Sequence, residues 1–257
     1  MAKLSVVIIT YNEERNITRC LNSVKDLADE IVVVDSNSTD KTVEIARKFG
    51  ANVYFQDFLG HIQQKNLALG KASHSFVLSL DADEALSDEL RQSIQKIKAN
   101  PQYDAYSFSR LTNFCGTWIY HTGWYPDQKV RLFDKSKAHW GGENPHDKII
   151  LEKNASHSYL QGDLLHYSFY SIEEHIRQIN NFSTIKAREK FTKGKKAFWW
   201  HLLFAPSVKF LKHYIFKAGF RDGFYGYVIS KNSAHANFLK YAKLRAMWKE
   251  RKSNSEK

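Results

Sequence analysis

Four short, predominantly apolar runs, at residues 4–9, 31–34, 52–55 and 76–80, recur through the first hundred residues and alternate with stretches of helical period. A run that does not alternate apolar with polar reads as buried on both faces, as in a parallel sheet whose crossover connections are helices. The helices are expected over 13–24, 39–49, 60–69 and 87–98, with Ser38 or Thr39 and Ser87 as N-caps and with Gly50 and Pro101 as stops. Three of the runs lead into polar clusters: Thr10-Tyr11-Asn12-Glu13-Glu14, Asp35-Ser36-Asn37-Ser38-Thr39-Asp40 and Asp81-Ala82-Asp83-Glu84. The carboxyl ends of parallel strands share one rim, where ligands of open α/β sheets gather, so the three clusters are expected to form one cleft.

Asp81 and Asp83 stand one residue apart directly after the fourth run. In an extended segment residues i and i+2 point the same way, so both carboxylates are placed to grip one hard divalent cation that also holds a diphosphate. A solvated turn, with Asp83 or Glu84 near the start of the next helix, is the plainer alternative. No Gly-x-Gly-x-x-Gly opens the first helix and no P-loop occurs, which removes the main support for a dinucleotide or ordinary NTPase site. A diphosphate would be neutralised here by metal and side-chain cations instead.

Beyond residue 101 the alternation gives way to short aromatic strands, as at 105–108 and 130–133, before helix returns at 172–191. The formal charge of +11 is unevenly placed: residues 186–252 hold 17 Lys and Arg against Glu189, Asp222 and Glu250, which is +14 and leaves −3 for the rest. Within this region the apolar stretch 197–205 is too short to cross a bilayer and runs into Pro206. From Ser207 onward Phe210, Leu211, Tyr214, Ile215 and Ala218 mark one face of a helix, with Lys209, Lys212 and Lys217 at other azimuths. Such a basic amphipathic helix suits an anionic membrane surface, with simple packing or nucleic acid as the rivals. Cys20 and Cys115 are expected to be reduced, which fits a cytosolic compartment, and the N-terminal run is expected to be a strand and not a targeting segment.

Four stretches, Ile9-Thr10-Tyr11-Asn12-Glu13-Glu14, Val34-Asp35-Ser36-Asn37-Ser38-Thr39-Asp40-Lys41-Thr42, Gln64-Lys65-Asn66-Leu67-Ala68 and Leu80-Asp81-Ala82-Asp83-Glu84, follow one another as in a known family. The chain resembles the family 2 glycosyltransferases of the GT-A fold. Asp127-Gln128-Lys129-Val130-Arg131-Leu132-Phe133 and Leu165-His166-Tyr167-Ser168 further resemble its bacterial lipopolysaccharide-core β-glucosyltransferases. The expected fold is therefore α/β, a Rossmann-like, mostly parallel sheet with helices on both faces. The GT-A domain would occupy 1–190, with 1–100 binding the nucleotide and 101–190 facing the acceptor, and a basic amphipathic helical extension would follow at 191–257.

The resemblance implies that Thr10, Tyr11 and Glu13 line the nucleotide pocket, that Asp35 reads the uracil or ribose, and that Lys65 reaches the nucleotide or its diphosphate. Asp83 would be the main ligand of Mg²⁺ or Mn²⁺, Asp81 would contact the ribose or the metal through water, and His166 would be a third ligand or a diphosphate contact. Arg131 would face the leaving group. An inverting transferase also needs a carboxylate to take the acceptor's hydroxyl proton. Relatives place an acid after a His in the stretch 140–148, which points to Asp147 after His146, with Glu143 as the alternative. Trp118, Trp124 and Trp140 would either stack on sugars or belong to the core.

The implied activity is metal-dependent, inverting transfer of a hexose, glucose foremost, from a UDP-sugar to a lipid-linked saccharide such as lipopolysaccharide core. It would take place at the inner face of a bacterial membrane, with the protein peripheral on that anionic surface and no nucleic acid partner. A polyprenyl-phosphate acceptor, or a non-catalytic module binding nucleic acid or anionic lipid, remain the alternatives.

Overall fold

Along β1 (Leu4–Thr10) the side chains alternate between two apolar layers. Leu4, Val6 and Ile8 join Ile17, Cys20, Leu21 and Val24 of α1 (Ile17–Val24) on one face of the sheet, while Val7 joins Ala68 and Leu69 of α3 (His61–Lys71) on the other. Cover on both faces is why the run is apolar from Val6 to Ile9, and the one polar residue before that, Ser5, is buried against Glu30. β2 (Glu30–Asp35), β3 (Asn52–Phe55) and β4 (Phe76–Asp81) extend the parallel array in the order β3-β2-β1-β4, with α2 (Thr42–Lys48) joining β2 to β3. The computed structural model describes residues 2–143 and 146–255, apart from the side chains of Glu143, His146 and Ser255.

The α/β class is as expected, but the sheet is mixed and not mostly parallel. After β4 come β5 (Glu84–Leu86), α4 (Asp88–Ala99), β6 (Ala105–Phe114), β7 (Thr117–Ile119), β8 (Asp127–Asp134) and, after a separate ribbon, β11 (His157–Phe169). Among the described residues no helix separates β6 from β11, so these strands lack the long crossovers that parallel pairing needs, and β8 pairs antiparallel with β4 and β6, as β11 does with β5. The ribbon consists of β9 (Ala138–Glu143) and β10 (His146–Leu151). Ser87 caps α4 as expected, accepting from Leu90 N at 3.2 Å.

The chain packs as two compact units, residues 1–111 with 126–167 and residues 112–125 with 168–257. The second contains α5 (Ile172–Thr192), α6 (Trp199–Leu211), a π-helical turn at Lys212–Phe216, a 3₁₀ turn at Gly219–Asp222 and α7 (Gly223–Ser255). Phe114, Ile119, Phe169 and Ile229 form its core, with Trp124 packed against them.

Three expected elements differ. Helix α1 begins at Ile17 and not at residue 13, because the backbone amides of Glu13 and Glu14 donate to Thr42 Oγ1 (2.8 Å) and Asp40 Oδ2 (3.1 Å) of the neighbouring loop. Helix α2 begins at Thr42 and not at residue 39, with Asp40 Oδ1 accepting Thr42 N at 3.0 Å in place of a Ser38 or Thr39 cap. The single basic helix from Ser207 is instead the end of α6 and a π turn, stopped by Ala218 in the left-handed region at φ 50°. Phe210 and Tyr214 stack on each other at 5.2 Å and turn toward Tyr227, which splits the expected apolar face.

Gly162 in β11 has φ +100°, and a β-carbon there would lie 2.2 Å from Leu90 N and 2.6 Å from Leu90 Cα. Gly162→Ala should lower the unfolding free energy by about 3 kcal/mol or more, since backbone on both sides must shift. Gly70→Ala, in α3 with nothing within 4 Å of the new carbon, should raise it by roughly 0.5–1 kcal/mol. Urea denaturation of both variants checks the pair, and equal effects would refute this account of the packing.

Candidate active site

The loops after β1 and β2 are bonded to each other before any ligand arrives. Asn12, in the left-handed region at φ 52°, donates its backbone amide to Ser38 Oγ at 2.8 Å and accepts Thr39 N on its side chain at 2.8 Å. Asp35 is fully buried, and its two oxygens accept from Ser38 N (2.7 Å) and Ser38 Oγ (2.5 Å), so its charge shapes the loop. Thr10 lies opposite Asp35 in the parallel register, and Tyr11 beside it is 59% exposed. Glu13 accepts from Asn16 Nδ2 at 2.8 Å. Burial pushes its carboxyl up to about 7, against the Asn16 hydrogen bond and with help from Asp83, Asp40 and Asp81.

After β4 the chain does not stay extended. Ala82 and Asp83 form a turn, closed by Asp81 N donating to Glu84 Oε2 at 3.0 Å, so the two aspartates take separate partners and do not face the same way. Asp81 meets Lys65 Nζ at 2.9 Å and Arg131 Nη2 at 3.0 Å. Lys65 also meets Asp147 at 2.8 Å, and Arg131 meets Glu84 at 2.8 Å. Burial opposes the charge of Asp81, but Lys65 and Arg131 outweigh it and hold the carboxyl far below the ordinary range. Burial likewise opposes the charge of Arg131, and Glu84, Asp81 and Asp147 hold its proton more firmly than usual. Trp140, only 4% exposed, donates to Ser79 Oγ and lies 4.2 Å from Lys65 Nζ and 5.0 Å from the Arg131 guanidinium. Asn66 fixes Trp140 by exchanging two hydrogen bonds with its backbone, at 2.8 and 3.0 Å. This network lines a cleft of about 560 Å³, which Arg110, Lys129 and Lys148 also border.

Asp83 takes the other direction, toward His166, whose Nε2 lies 3.1 Å from its Oδ2. Among the described residues no cluster of three or more His, Cys, Asp or Glu is set to hold a metal alone. A carboxylate and an imidazole nevertheless fit Mg²⁺ or Mn²⁺ where substrate oxygens and water complete the shell, as is usual for Mg²⁺ with phosphates. The buried polar atoms without a hydrogen-bond partner among the described residues include Thr10 Oγ1, Gln64 Oε1, Arg131 Nε and Nη1, and His166 Nδ1, all in this first unit. Unsatisfied buried groups are rare in folded proteins, and of these Arg131 lines the cleft, where its two free guanidinium nitrogens are available to an anionic ligand.

The structure thus brings Asp81, Lys65, Arg131 and Asp147 into one ion network, joins Asp83 to His166, and sets Thr10, Tyr11, Glu13 and Asp35 in the linked loops. The side chain of Glu143 lies outside the described residues. Trp140 is a core aromatic, and Trp124 packs against Phe114 and Phe169. Sequence reasoning missed Glu84, which is buried in β5 and not at a helix start, and Arg110, which reaches Asp127 at 2.7 Å and Glu84 at 3.4 Å. An acid directly before the apolar pair Ala85-Leu86 was the available signal for Glu84.

A sheet of this order, with polar loops and a buried ion network at its rim after an Asp-x-Asp turn, is an α/β fold with a ligand site at the carboxyl ends of its parallel strands. Residues 5–158 match the family model of glycosyl transferase family 2, and the chain belongs to that family. It is 36% identical over 257 aligned positions to an uncharacterised glycosyltransferase of Rickettsia typhi, covering 96% of this chain and 88% of that one. It is 28% identical to LpsC of Rhizobium meliloti, named a lipopolysaccharide core biosynthesis glycosyltransferase, over 94% of this chain and 91% of LpsC. Among solved structures, S. aureus TarS 1-349 aligns over 96% of this chain and 91% of that chain at 17% identity, with a TM-score of 0.46. No described helix is long and apolar enough to cross a membrane.

The raised Glu13 carboxyl makes stability depend on pH. Its ordinary value is 4.5 and its folded value about 7, so its neutral form favours the fold below about pH 4.5 and that contribution is lost as pH rises through 7. Relative to Glu13→Gln, the native chain should lose stability across this window and run parallel to it on either side. Urea titrations at several pH values measure this, and a constant difference between the two proteins would contradict it.

Proposed function

We propose that this glycosyltransferase moves a hexose, glucose foremost, from a UDP-sugar to a lipid-linked saccharide such as lipopolysaccharide core, with inversion and with a divalent cation. It would work from the inner face of the cytoplasmic membrane as a peripheral protein. The observation that carries this reading is the turn after β4, which sends Asp83 to His166 and Asp81 to Lys65 and Arg131, and the last three of these line the cleft. The name and the 28% identity of LpsC support the acceptor class.

In this reading the exposed ring of Tyr11 covers a face of the base, and Thr10 and the loop ordered by Asp35 take up the nucleoside's polar edge. Asp83 and His166 would hold Mg²⁺ or Mn²⁺, which when bound supplies positive charge to the departing diphosphate. Lys65 and Arg131, held through Asp81, add fixed positive charge beside it. Asp147, which lines the cleft 2.8 Å from Lys65, takes the proton of the attacking acceptor hydroxyl. Glu143 stands as the other candidate base.

Incubation of the purified full-length protein with UDP-, GDP- and dTDP-hexoses and Mg²⁺ or Mn²⁺ tests the proposal. UDP release is expected from UDP-glucose and should disappear with a chelator. Asp83→Ala and Asp147→Asn should each lower turnover about 10²–10⁴-fold, the latter with UDP binding retained. Product mass distinguishes a glycoside, as proposed here, from a phosphodiester on a polyprenyl phosphate. Absence of UDP binding and of release from every donor would sink the proposal.

A further inference from the structure

We infer that the exposed face of α6 and the turn that follows it form a docking surface for an anionic lipid bilayer, an inference that rests on the reading of the acceptor as lipid-linked. Phe204, Val208, Leu211 and Ile215 recur along one side of α6 and the π turn, and all are exposed. Phe216, at the end of the turn, is 81% exposed, and Phe220 follows it, also exposed. A contiguous apolar face of this kind on a soluble surface signals a partner.

Charge identifies that partner. Between Lys190 and Lys249 the only acid is Asp222. Its carboxylate is withdrawn from the surface: the side chain is 4% exposed and accepts from His121 N at 2.8 Å and Tyr120 N at 3.3 Å, with His121 Nδ1 at 2.7 Å. What remains around the aromatic turn is cationic, from Lys209, Lys212, Lys217 and Arg221. Burial lowers the pKa of Lys209, as do its neighbours Lys212 and Lys186, so the cations crowd one another without an acid between them. A second copy of the chain would oppose this cationic surface with its like. Nucleic acid has no use for the exposed aliphatic residues Val208, Leu211 and Ile215, whereas anionic headgroups over acyl chains satisfy both features.

The turn is also tied down at both ends. Thr122 N donates to Lys217 O at 3.0 Å, and a β-carbon on Gly226 would lie 1.8 Å from Gly219 O, so only glycine allows this approach. Phe216 and Phe220 are therefore presented by a preformed turn, which reduces the entropy lost on insertion.

Flotation of the full-length protein with vesicles of phosphatidylcholine, with and without phosphatidylglycerol, tests the inference without any sugar present. Binding is expected only to the anionic vesicles and should weaken with salt. Lys212→Ala and Lys217→Ala should each lower partition about fivefold. The double variant Phe216→Ser/Phe220→Ser should lower it tenfold or more, with UDP binding unchanged. Binding of the double variant equal to that of the native chain, no binding by the native chain, or a native dimer that this variant dissociates would each overturn the inference. Vesicle binding in a protein that binds no UDP would leave it standing and remove the catalytic proposal instead.

Discussion

The guanidinium of Arg131 is buried at the end of the sheet, and the rim of the site is assembled around it. It joins Asp81 at the end of β4 to Glu84 in β5, and through Asp81 the chain of charges passes to Lys65 in α3 and Asp147 in β10. Trp140 in β9 closes the network from the side. Taking such charges out of water is costly, and the arrangement holds only because each has a partner. Loss of Lys65 would strand Asp147, and breaking a buried pair generally costs about 3–5 kcal/mol, whereas the other members each keep a second partner. The groups that give the cleft its charge are thus also the groups that fasten its strands together.

Asp81 divides two electrostatic environments. On one side Lys65, Arg131 and Arg110 meet their carboxylates in and around the cleft. On the other, burial discourages ionisation of Glu13, and the nearby carboxylates Asp83 and Asp40 add to it. The acidic side calls for a cation and the cationic side for anionic oxygens. A ligand that carries both charges would satisfy both sides at once.

Much of this was legible in the sequence because it is local. The mostly apolar runs gave β1 to β4, Ser87 gave the start of α4, and the polar clusters gave the rim. The start of α1 was hidden because the amides of Glu13 and Glu14 are satisfied by side chains 29 and 26 residues away, while α2 starts later than expected because Asp40, and not Ser38 or Thr39, accepts the Thr42 amide. Glu84 was hidden for a similar reason, as its partners Arg131 and Arg110 lie 47 and 26 residues along the chain. The turn at Ala82-Asp83 follows from Glu84, so the geometry of the aspartate pair was hidden with it. In the basic region the helical period was real, but it could not show that Phe210 and Tyr214 would be claimed by Tyr227.

The pairing of β5 with β11 sets Glu84 opposite His166, Ala85 opposite Leu165 and Leu86 opposite Leu164, while Tyr167 N donates to Asp83 O at 2.9 Å. Gly162, pressed against the first turn of α4, pins the same strand four residues earlier. Alternate residues of a strand face opposite sides, so one residue gained or lost between these pins would turn the imidazole away from Asp83 and offer Leu165 or Tyr167 in its place. The distance from the helix to the Asp83–His166 pair is therefore counted in even steps. This stretch of β11 can change length only by twos, whereas the loop that leads into it at 152–156 is under no such rule of parity.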